Sequence, residues 1–167
     1  QRGSLRGRLS NANWRSFRQR KVEIHMSYTV LDEILIPGYL EQIPRVMEVL
    51  GTSDELAITE IGDGNLNFVF RVARADDPKR SVILKQAVPY LRVEGEGWPL
   101  SRDRILFETR ALRVYNDLVP QFVPELLHDD AEMSVLVMQD LGAVKVLRYP
   151  MIEGVEFPGL GTDIGKF

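Results

Sequence analysis

Apolar and polar residues alternate regularly in the middle of the chain, and this alternation predicts a sheet. Within 67–74 (NFVFRVAR), Phe68, Phe70 and Val72 share one face of an extended chain, while Val69 and Arg71 share the other. Further strands are predicted at 55–62 (ELAITEIG), 81–88 (SVILKQAV) and within 133–142 (MSVLVMQDLG). The short turns between the first three strands favour antiparallel pairing.

Helical periodicity predicts two helices, at 38–51 (GYLEQIPRVMEVLG) and 103–118 (DRILFETRALRVYNDL). At about 100° per residue, the apolar side chains of the second helix form one arc. The arc contains Ile105, Phe107, Ala111, Leu112, Val114, Tyr115 and Leu118. Glu108 falls within this arc, which is predicted to pack on the sheet. A long loop at 89–102, with prolines and glycines, precedes the helix. The order of elements predicts an α+β fold, an antiparallel sheet with a packed helix.

The amino-acid composition argues against several classes of function. The 167 residues suffice for one domain, and a net charge of −3 provides no broad basic field for nucleic acid. Cysteine is absent, which excludes disulfides and thiolate metal sites, and His25 and His128 are the only two imidazoles. No apolar run approaches the roughly 20 residues of a membrane helix. We therefore expect neither a nucleic-acid partner nor a membrane.

The first 25 residues differ from the rest in composition. They are rich in arginine, contain one acidic residue, Glu23, and show little apolar periodicity. Residues 1–25 are therefore predicted to be a disordered basic extension, such as a leader or translated upstream sequence, and a transit peptide is the alternative. Met26 opens the segment MSYTVLDEIL, which reads as a natural start.

The segment EIGDGNLNFVF (60–70) places two glycines and two asparagines directly before a strand. A dinucleotide-binding fingerprint or a Walker loop would lead into a helix, so both are excluded by context. A glycine loop between two strands is the arrangement by which protein kinases cover ATP phosphates. The alternative is a hairpin turn that uses Gly and Asn for ordinary conformational reasons.

Two charged residues lie at positions predicted to be buried. Lys85 interrupts the apolar run of the third strand, where protein kinases carry a phosphate-binding lysine. Glu108 needs a cationic partner on an apolar helix face, and Lys85 is the predicted one. The alternatives are a solvated Lys85, a Glu108 at the helix edge, or pairing of Glu108 with Arg71 or Arg92.

The strand that ends in Gln139-Asp140-Leu141-Gly142 suits a hinge whose backbone contacts an adenine edge, although a simple strand end is the alternative. Together with the glycine loop, the runs ILKQAVPYLRVEGEGWPLSRDR, FVPELLHDDAEMSVLVMQDL and VLRYPMIEGVEFPGL resemble the S-methyl-5-thioribose kinase family. The resemblance covers residues 31–167. It implies a protein-kinase-like N-terminal lobe and phosphorylation of the 1-hydroxyl of S-methyl-5-thioribose by ATP in methionine salvage.

The family resemblance also implies roles for particular residues. It assigns Gly62, Gly64, Asn65 and Asn67 to the nucleotide loop, Lys85 and Glu108 to the phosphate site, Gln139, Asp140 and Leu141 to the adenine hinge, and Trp98 to a loop near the substrate. The family often has Glu at the position of Gln139. It usually has a histidine before the Leu-Arg pair, which the segment GAVKVLR lacks. ATP and Mg²⁺ are the implied cofactors, and a homodimer and a cytoplasmic location are also implied.

The family's second lobe carries a His-Gly-Asp catalytic loop and an Asp-x-Glu metal motif. His-Gly-Asp does not occur here, and Asp130-Ala131-Glu132 is predicted to be a turn. No catalytic or metal-binding residue is therefore assigned to this chain, and it is expected to be inactive alone. Residues 26–141 are predicted to form the nucleotide-binding lobe. Residues 142–167 are predicted to leave the hinge, begin a truncated second lobe, and expose an apolar face. The alternative function is a non-catalytic nucleotide-binding or interaction module.

Overall fold

The computed structural model describes residues 28–51, 55–62 and 65–167. The predicted disorder of residues 1–25 and the position of Gly64 lie outside these described residues. The helices are α1 (Leu35–Leu40), α2 (Pro44–Leu50), α3 (Arg104–Leu118), α4 (Arg148–Ile152) and α5 (Leu160–Ile164). The strands are β1 (Leu56–Glu60), β2 (Asn67–Arg74), β3 (Ser81–Ala87), β4 (Tyr90–Leu91), β5 (Gly95–Pro99), β6 (Leu126–Asp130) and β7 (Val135–Gln139).

Five strands form an antiparallel sheet in the order β1-β2-β3-β7-β6, which confirms the predicted α+β fold. The alternation in β2 is also confirmed. Phe70 and Val72 are buried, and Phe68 packs against the same core cluster. β6 adds an edge strand beside β7, where the sequence pattern left the number of strands open.

Helices cover both faces of the sheet, whereas the sequence predicted one packed helix. Helices α1 and α2 pack on one face, and α3 packs on the other through Ile105. The central strand β3 is therefore buried on both sides, which explains its nearly continuous apolar run. Because successive side chains alternate, Lys85 and Gln86 lie on opposite faces of the sheet.

The predicted helix at 38–51 is two helices, and Pro44 is the physical reason. Proline lacks an N–H and disfavours helical dihedrals in the residue before it, and Ile43 is indeed extended with φ −108° and ψ 98°. Pro44 then occupies the start of α2, where its missing N–H has no consequence. The apolar residues Tyr39, Ile43, Val46 and Leu50 of this region are nonetheless buried, and Met47 is half-buried.

Helix α2 ends at Gly51, where an arginine from the β2–β3 turn satisfies the last carbonyls. Gly51 has φ +72°, and a Cβ there would lie 2.9 Å from the Arg80 guanidinium. That guanidinium donates hydrogen bonds to the carbonyls of Val49 (2.7 Å) and Glu48 (2.9 Å). The termination therefore requires glycine for both its dihedral angle and its space.

We expect Gly51→Ala to lower the free energy of unfolding by about 1–2 kcal/mol, because it strains the backbone and displaces Arg80. The matched control is Gly38→Ala. Gly38 lies inside α1 with open space around its Cα, so alanine there should stabilise the protein by about 0.5–1 kcal/mol. Urea unfolding of both variants measures the two effects. Equal effects of the same sign would contradict this account of the helix end.

The segment predicted as a long loop contains a small two-stranded hairpin, β4–β5. Its glycines and prolines indicated a loop, but Gly95 adopts a left-handed φ of +68° that lets the chain turn back. Farther along, Asp130-Ala131-Glu132 leads into the turn between β6 and β7, as predicted. The Asp130 carboxylate accepts a hydrogen bond from the Met133 N–H (2.9 Å) in that turn.

The predicted packing face of α3 is only partly right. Ile105 and Leu112 of the predicted arc pack against the sheet, but Phe107 and Leu118 are 67% and 72% exposed. Thr109, which was predicted on the other side, is buried. The predicted arc contained apolar residues, but a polar residue can also face the sheet when its polar atoms have hydrogen-bond partners. Asn116, for example, donates to the Pro124 carbonyl (3.0 Å) and accepts from the Leu126 N–H (2.8 Å).

The residues after β7 pack loosely, and the predicted exposed apolar face is confirmed. The exposed apolar side chains in 141–160 are Leu141, Val144, Val146, Tyr149, Met151, Ile152, Val155 and Phe157. The chain then turns back so that the Phe167 ring contacts Tyr115 of α3 at a centroid distance of 5.2 Å. Among the helices of the described residues, none combines the length and apolarity needed to cross a membrane.

Candidate nucleotide site

Lys85 and Glu108 form an ion pair between β3 and α3. The Lys85 ammonium donates to the Glu108 carboxylate at 2.6 Å, and the two side chains are 22% and 34% exposed. Register pairing places Lys85 beside Val69 of β2 and Leu136 of β7. The alternative partners are engaged elsewhere: Arg71 pairs with Asp140, and Arg92 pairs with Glu60. The predicted pair is therefore present, and its role in nucleotide binding stays a prediction.

The glycine loop, residues 61–66, connects β1 to β2. Of the predicted nucleotide-loop residues, Gly62 and Asn65 are exposed. An added Cβ at Gly62 would meet no atom of the described residues within 4 Å, and its φ lies outside the left-handed region. Packing within this part of the chain therefore does not require glycine there. Close approach of a ligand to the backbone is the other physical reason for glycine at such a position.

Asn67, also predicted for the loop, is buried and faces an arginine. Its side-chain oxygen accepts a hydrogen bond from Arg104 Nε at 3.0 Å. The Arg104 guanidinium also donates to the backbone carbonyls of Leu66, Val88 (2.9 Å) and Ser101. Burial lowers the pKa of this guanidinium. The predicted nucleotide role of Asn67 is untested, and its side-chain oxygen is already used within the protein.

Sequence patterns did not single out Arg104, although one signal was present. It is the first residue of α3, where the partial positive charge of the helix N-terminus disfavours a cation. An arginine at such a position indicates that some specific contact compensates for the repulsion. The hydrogen bonds to four oxygen atoms provide that compensation.

Arg92, on the β4–β5 hairpin, joins this hairpin to the glycine loop. Its N–H donates to the Asn65 carbonyl (2.9 Å), and its guanidinium donates to the Asn67 carbonyl (3.2 Å). The guanidinium also stacks over the Phe68 ring, 3.9 Å from the centroid. The same hairpin carries Trp98, the residue predicted for a substrate loop, whose side chain is 60% exposed. The structure thus connects the tryptophan hairpin to the glycine loop.

The predicted hinge begins at the end of β7, and Asp140 fixes it to the sheet. The Asp140 carboxylate accepts hydrogen bonds from Ser81 (2.7 Å), Arg71 (2.7 Å) and the Gly142 N–H (2.8 Å). Burial alone would raise the pKa of this carboxyl, but these three hydrogen bonds together outweigh burial and keep its pKa below the usual range. The Gln139 side chain accepts from the Glu125 N–H (3.2 Å).

Leu141, the last predicted hinge residue, has a half-exposed side chain. Its backbone N–H and C=O make no hydrogen bond with any residue in the described part of the chain. These two groups can therefore serve a ligand, and an adenine edge presents a matching donor and acceptor. Asp140, by contrast, is occupied in holding the hinge.

A cavity of about 760 Å³ lies between α2, α3 and β6. Arginine–carboxylate pairs, Arg45–Glu125 and Arg113–Asp129, stand in its wall. It shares Gln139 with the predicted hinge but includes neither Lys85 nor the glycine loop. Because both arginines in its wall are already paired with carboxylates, we do not assign the nucleotide to it. The described residues also contain no cluster of three or more acidic or histidine side chains suited to a metal ion.

Sheet order, the helix on the β3 face and the lysine–glutamate pair define a protein-kinase-like N-terminal lobe. No family model matches the chain. Methylthioribose kinase from Geobacillus sp. (strain WCH70) is 46% identical over 112 residues, 67% of this chain and 28% of that protein. Methylthioribose kinase from Bacillus cereus (strain ZK / E33L) is 45% identical over 108 residues, 65% of this chain and 27% of that protein.

The chain is therefore a homologue of methylthioribose kinases. A third relative, from Geobacillus kaustophilus (strain HTA426), gives the same picture, with 45% identity over 112 residues. The matched region spans about 28% of the length of these relatives. The similarity is thus shown to a part of each relative.

Proposed function

We propose that this chain supplies the nucleotide-binding lobe for ATP-dependent phosphorylation of the 1-hydroxyl of S-methyl-5-thioribose, a step of methionine salvage. The observation that carries the proposal is the Lys85–Glu108 ion pair, which joins the sheet to α3 as in protein kinases. Similarity to methylthioribose kinases supports the choice of substrate. A cytoplasmic homodimer that binds neither nucleic acid nor membrane is part of the proposal.

In this proposal Lys85 binds the α- and β-phosphates, and Glu108 holds the ammonium in place between turnovers. The loop residues Gly62, Gly64 and Asn65 lie over the phosphates, and the glycines allow close approach of the backbone. The backbone of Leu141 contacts the adenine edge. Asp140 fixes that backbone through its hydrogen bonds to β2 and β3.

The described residues fit ATP through a partly exposed ammonium, an exposed loop and free hinge peptide groups. Mg²⁺ is proposed from the family resemblance, because the described residues bring together no set of metal ligands. ATP supplies the transferred phosphoryl group when bound. His-Gly-Asp is absent from the sequence, so this chain contributes no assigned catalytic base. We therefore expect nucleotide binding without turnover by this chain alone.

The test is calorimetric titration of the full chain with ADP and with ATP, compared with Gly62→Ala. We expect binding by the wild type and about tenfold weaker binding by Gly62→Ala, since the added methyl group separates the loop from the phosphates. Its melting temperature should stay unchanged, because the Cβ meets no atom of the described residues within 4 Å.

Gly161→Ala is the matched control, since Gly161 is also exposed with open space around it. It should leave affinity unchanged. Absence of nucleotide binding by the wild type at millimolar concentration would overturn the proposal. Binding without phosphorylation of S-methyl-5-thioribose is the expected result for the lobe and also fits a non-catalytic module. Phosphorylation by this chain would contradict its expected inactivity.

A further inference from the structure

Arg104 attaches the second half of the glycine loop to the rest of the fold, in addition to the contacts made by Arg92. Its guanidinium reaches the Leu66 carbonyl and the Asn67 side-chain oxygen, the latter at 3.0 Å. The same group reaches the Val88 carbonyl, just after β3, at 2.9 Å. One side chain therefore ties the loop to the strand that carries Lys85.

The second attachment of Arg104 is to the entrance of α3, the helix that carries Glu108. Its guanidinium donates to the Ser101 carbonyl, and its own backbone begins the helix. The Arg104 guanidinium thus contacts the glycine loop, the end of β3, which carries Lys85, and the start of α3, which carries Glu108. The rigid fork of a guanidinium can serve several acceptors at fixed angles, which a lysine ammonium cannot reproduce.

The acceptors of Arg104 are all neutral oxygens. No carboxylate of the described residues forms an ion pair with it, so within this part of the chain its positive charge is balanced by hydrogen bonds to neutral oxygens. Arg92, the other arginine at the loop, differs because it pairs with Glu60. Arg104 is therefore arranged to hold the loop in place and not to neutralise a carboxylate of the protein.

We propose that Arg104 is a positioning residue that holds Leu66 and Asn67 of the glycine loop in the geometry required for nucleotide phosphates before the nucleotide binds. The inference rests on the proposed function, because the affinity it affects is that of the nucleotide. A loop that is ordered in advance loses less conformational entropy on binding, and affinity rises accordingly. Arg104 touches neither nucleotide nor substrate in this scheme.

The experiment compares Arg104→Gln, Arg104→Lys and the control Arg110→Gln in the full chain. Arg110 is exposed on the same helix, so its replacement removes the same charge without a change at the loop. Three quantities are measured: amide hydrogen exchange of residues 65–69 without ligand, affinity for ADP, and melting temperature. Exchange in β6 and β7 provides the internal reference for global opening.

Arg104→Gln should accelerate exchange at 65–69 relative to β6 and β7 and weaken ADP binding about tenfold. Arg104→Lys retains the charge but loses the fork, so it should resemble Arg104→Gln. Arg110→Gln should match the wild type. Full recovery of affinity in Arg104→Lys would overturn the proposal, because charge alone would then suffice. Unchanged exchange at 65–69 in Arg104→Gln would also overturn it.

Two further outcomes are distinguishable. If Arg104→Gln does not fold, the exchange and affinity of Arg104→Lys decide the question, since that variant keeps one donor group and the charge. If the wild type binds no nucleotide, the proposed function fails. The inference for the nucleotide site then fails with it, while accelerated exchange in Arg104→Gln would show that Arg104 still fixes the loop.

Discussion

Replacing Gln86 with leucine is expected to lower the free energy of unfolding by about 3–5 kcal/mol, because three backbone groups would lose this partner, two of them in buried hydrogen bonds. Gln86 is completely buried on the β3 face opposite Lys85. Its amide group donates to the carbonyls of Thr29 (2.8 Å) and Met133 (3.0 Å) and accepts from the Leu31 N–H (2.8 Å).

These bonds attach two separate parts of the chain to the central strand. One is the segment before α1, which also contacts β3 through the Tyr28 hydroxyl on the Ala87 carbonyl (3.1 Å). The other is the turn between β6 and β7, which contains Met133. Leucine has a similar volume, so the expected loss comes from unsatisfied polar groups more than from a cavity.

Denaturant unfolding measures this effect, and Gln121→Leu is the matched control. Gln121 is exposed in the short 3₁₀ turn at Pro120–Phe122, so its replacement should change stability by less than about 0.5 kcal/mol. A loss below about 1 kcal/mol in Gln86→Leu would mean that water or local rearrangement satisfies the three groups. The hydrogen bonds of Gln86 would then not be what holds the two segments to β3.

The second large effect is expected at Lys85, and it concerns binding more than stability. Lys85→Met should weaken ATP binding about 10- to 150-fold, the equivalent of about 1.5–3 kcal/mol for a hydrogen bond to a charged group. Its cost in stability should be near 1 kcal/mol, because both side chains of the Lys85–Glu108 pair are partly exposed. A fully buried pair would have predicted about 3–5 kcal/mol.

Glu108→Gln completes the test. It should weaken ATP binding less than Lys85→Met does, since the lysine remains but is no longer held by a carboxylate. The double variant should lose less affinity than the sum of the single losses, because Glu108 acts through Lys85. Calorimetric titration of the four proteins provides the cycle. Strictly additive losses would show that the two residues contribute independently, against the role proposed for the pair.

Local periodicity predicted most of the sheet and placed Lys85 and Glu108 where they could pair, whereas the choice of Lys85 over Arg71 and Arg92 came from the protein-kinase pattern. Strand alternation orients Lys85, and helical spacing brings Glu108 to the side of α3 that reaches it. The packing face of α3 was predicted only in part, because residue type alone does not reveal which polar residues have partners, as Asn116 has. The break between α1 and α2 follows from the restriction that Pro44 places on Ile43, but the helical spacing of the apolar residues suggested one continuous helix.

Arg92 and Arg104 show the limit of such predictions. Their acceptors are mainly backbone carbonyls distant in sequence, for example Leu66 for Arg104 at a separation of 38 residues. A carbonyl oxygen belongs to every residue, so no residue type marks it as an acceptor. Such hydrogen bonds can be identified only once the three-dimensional arrangement of the strands is known. The arrangement that fixes the glycine loop could therefore not be predicted from sequence patterns.

Asn116 has a consequence for how copies of this chain can associate. β6 is an edge strand, and an exposed edge can recruit another strand through its free backbone groups. The Asn116 amide group occupies the Pro124 carbonyl and the Leu126 N–H, in the way a neighbouring strand would. Growth of the sheet is thereby blocked at the start of this edge, which protects the protein from aggregation by strand addition there.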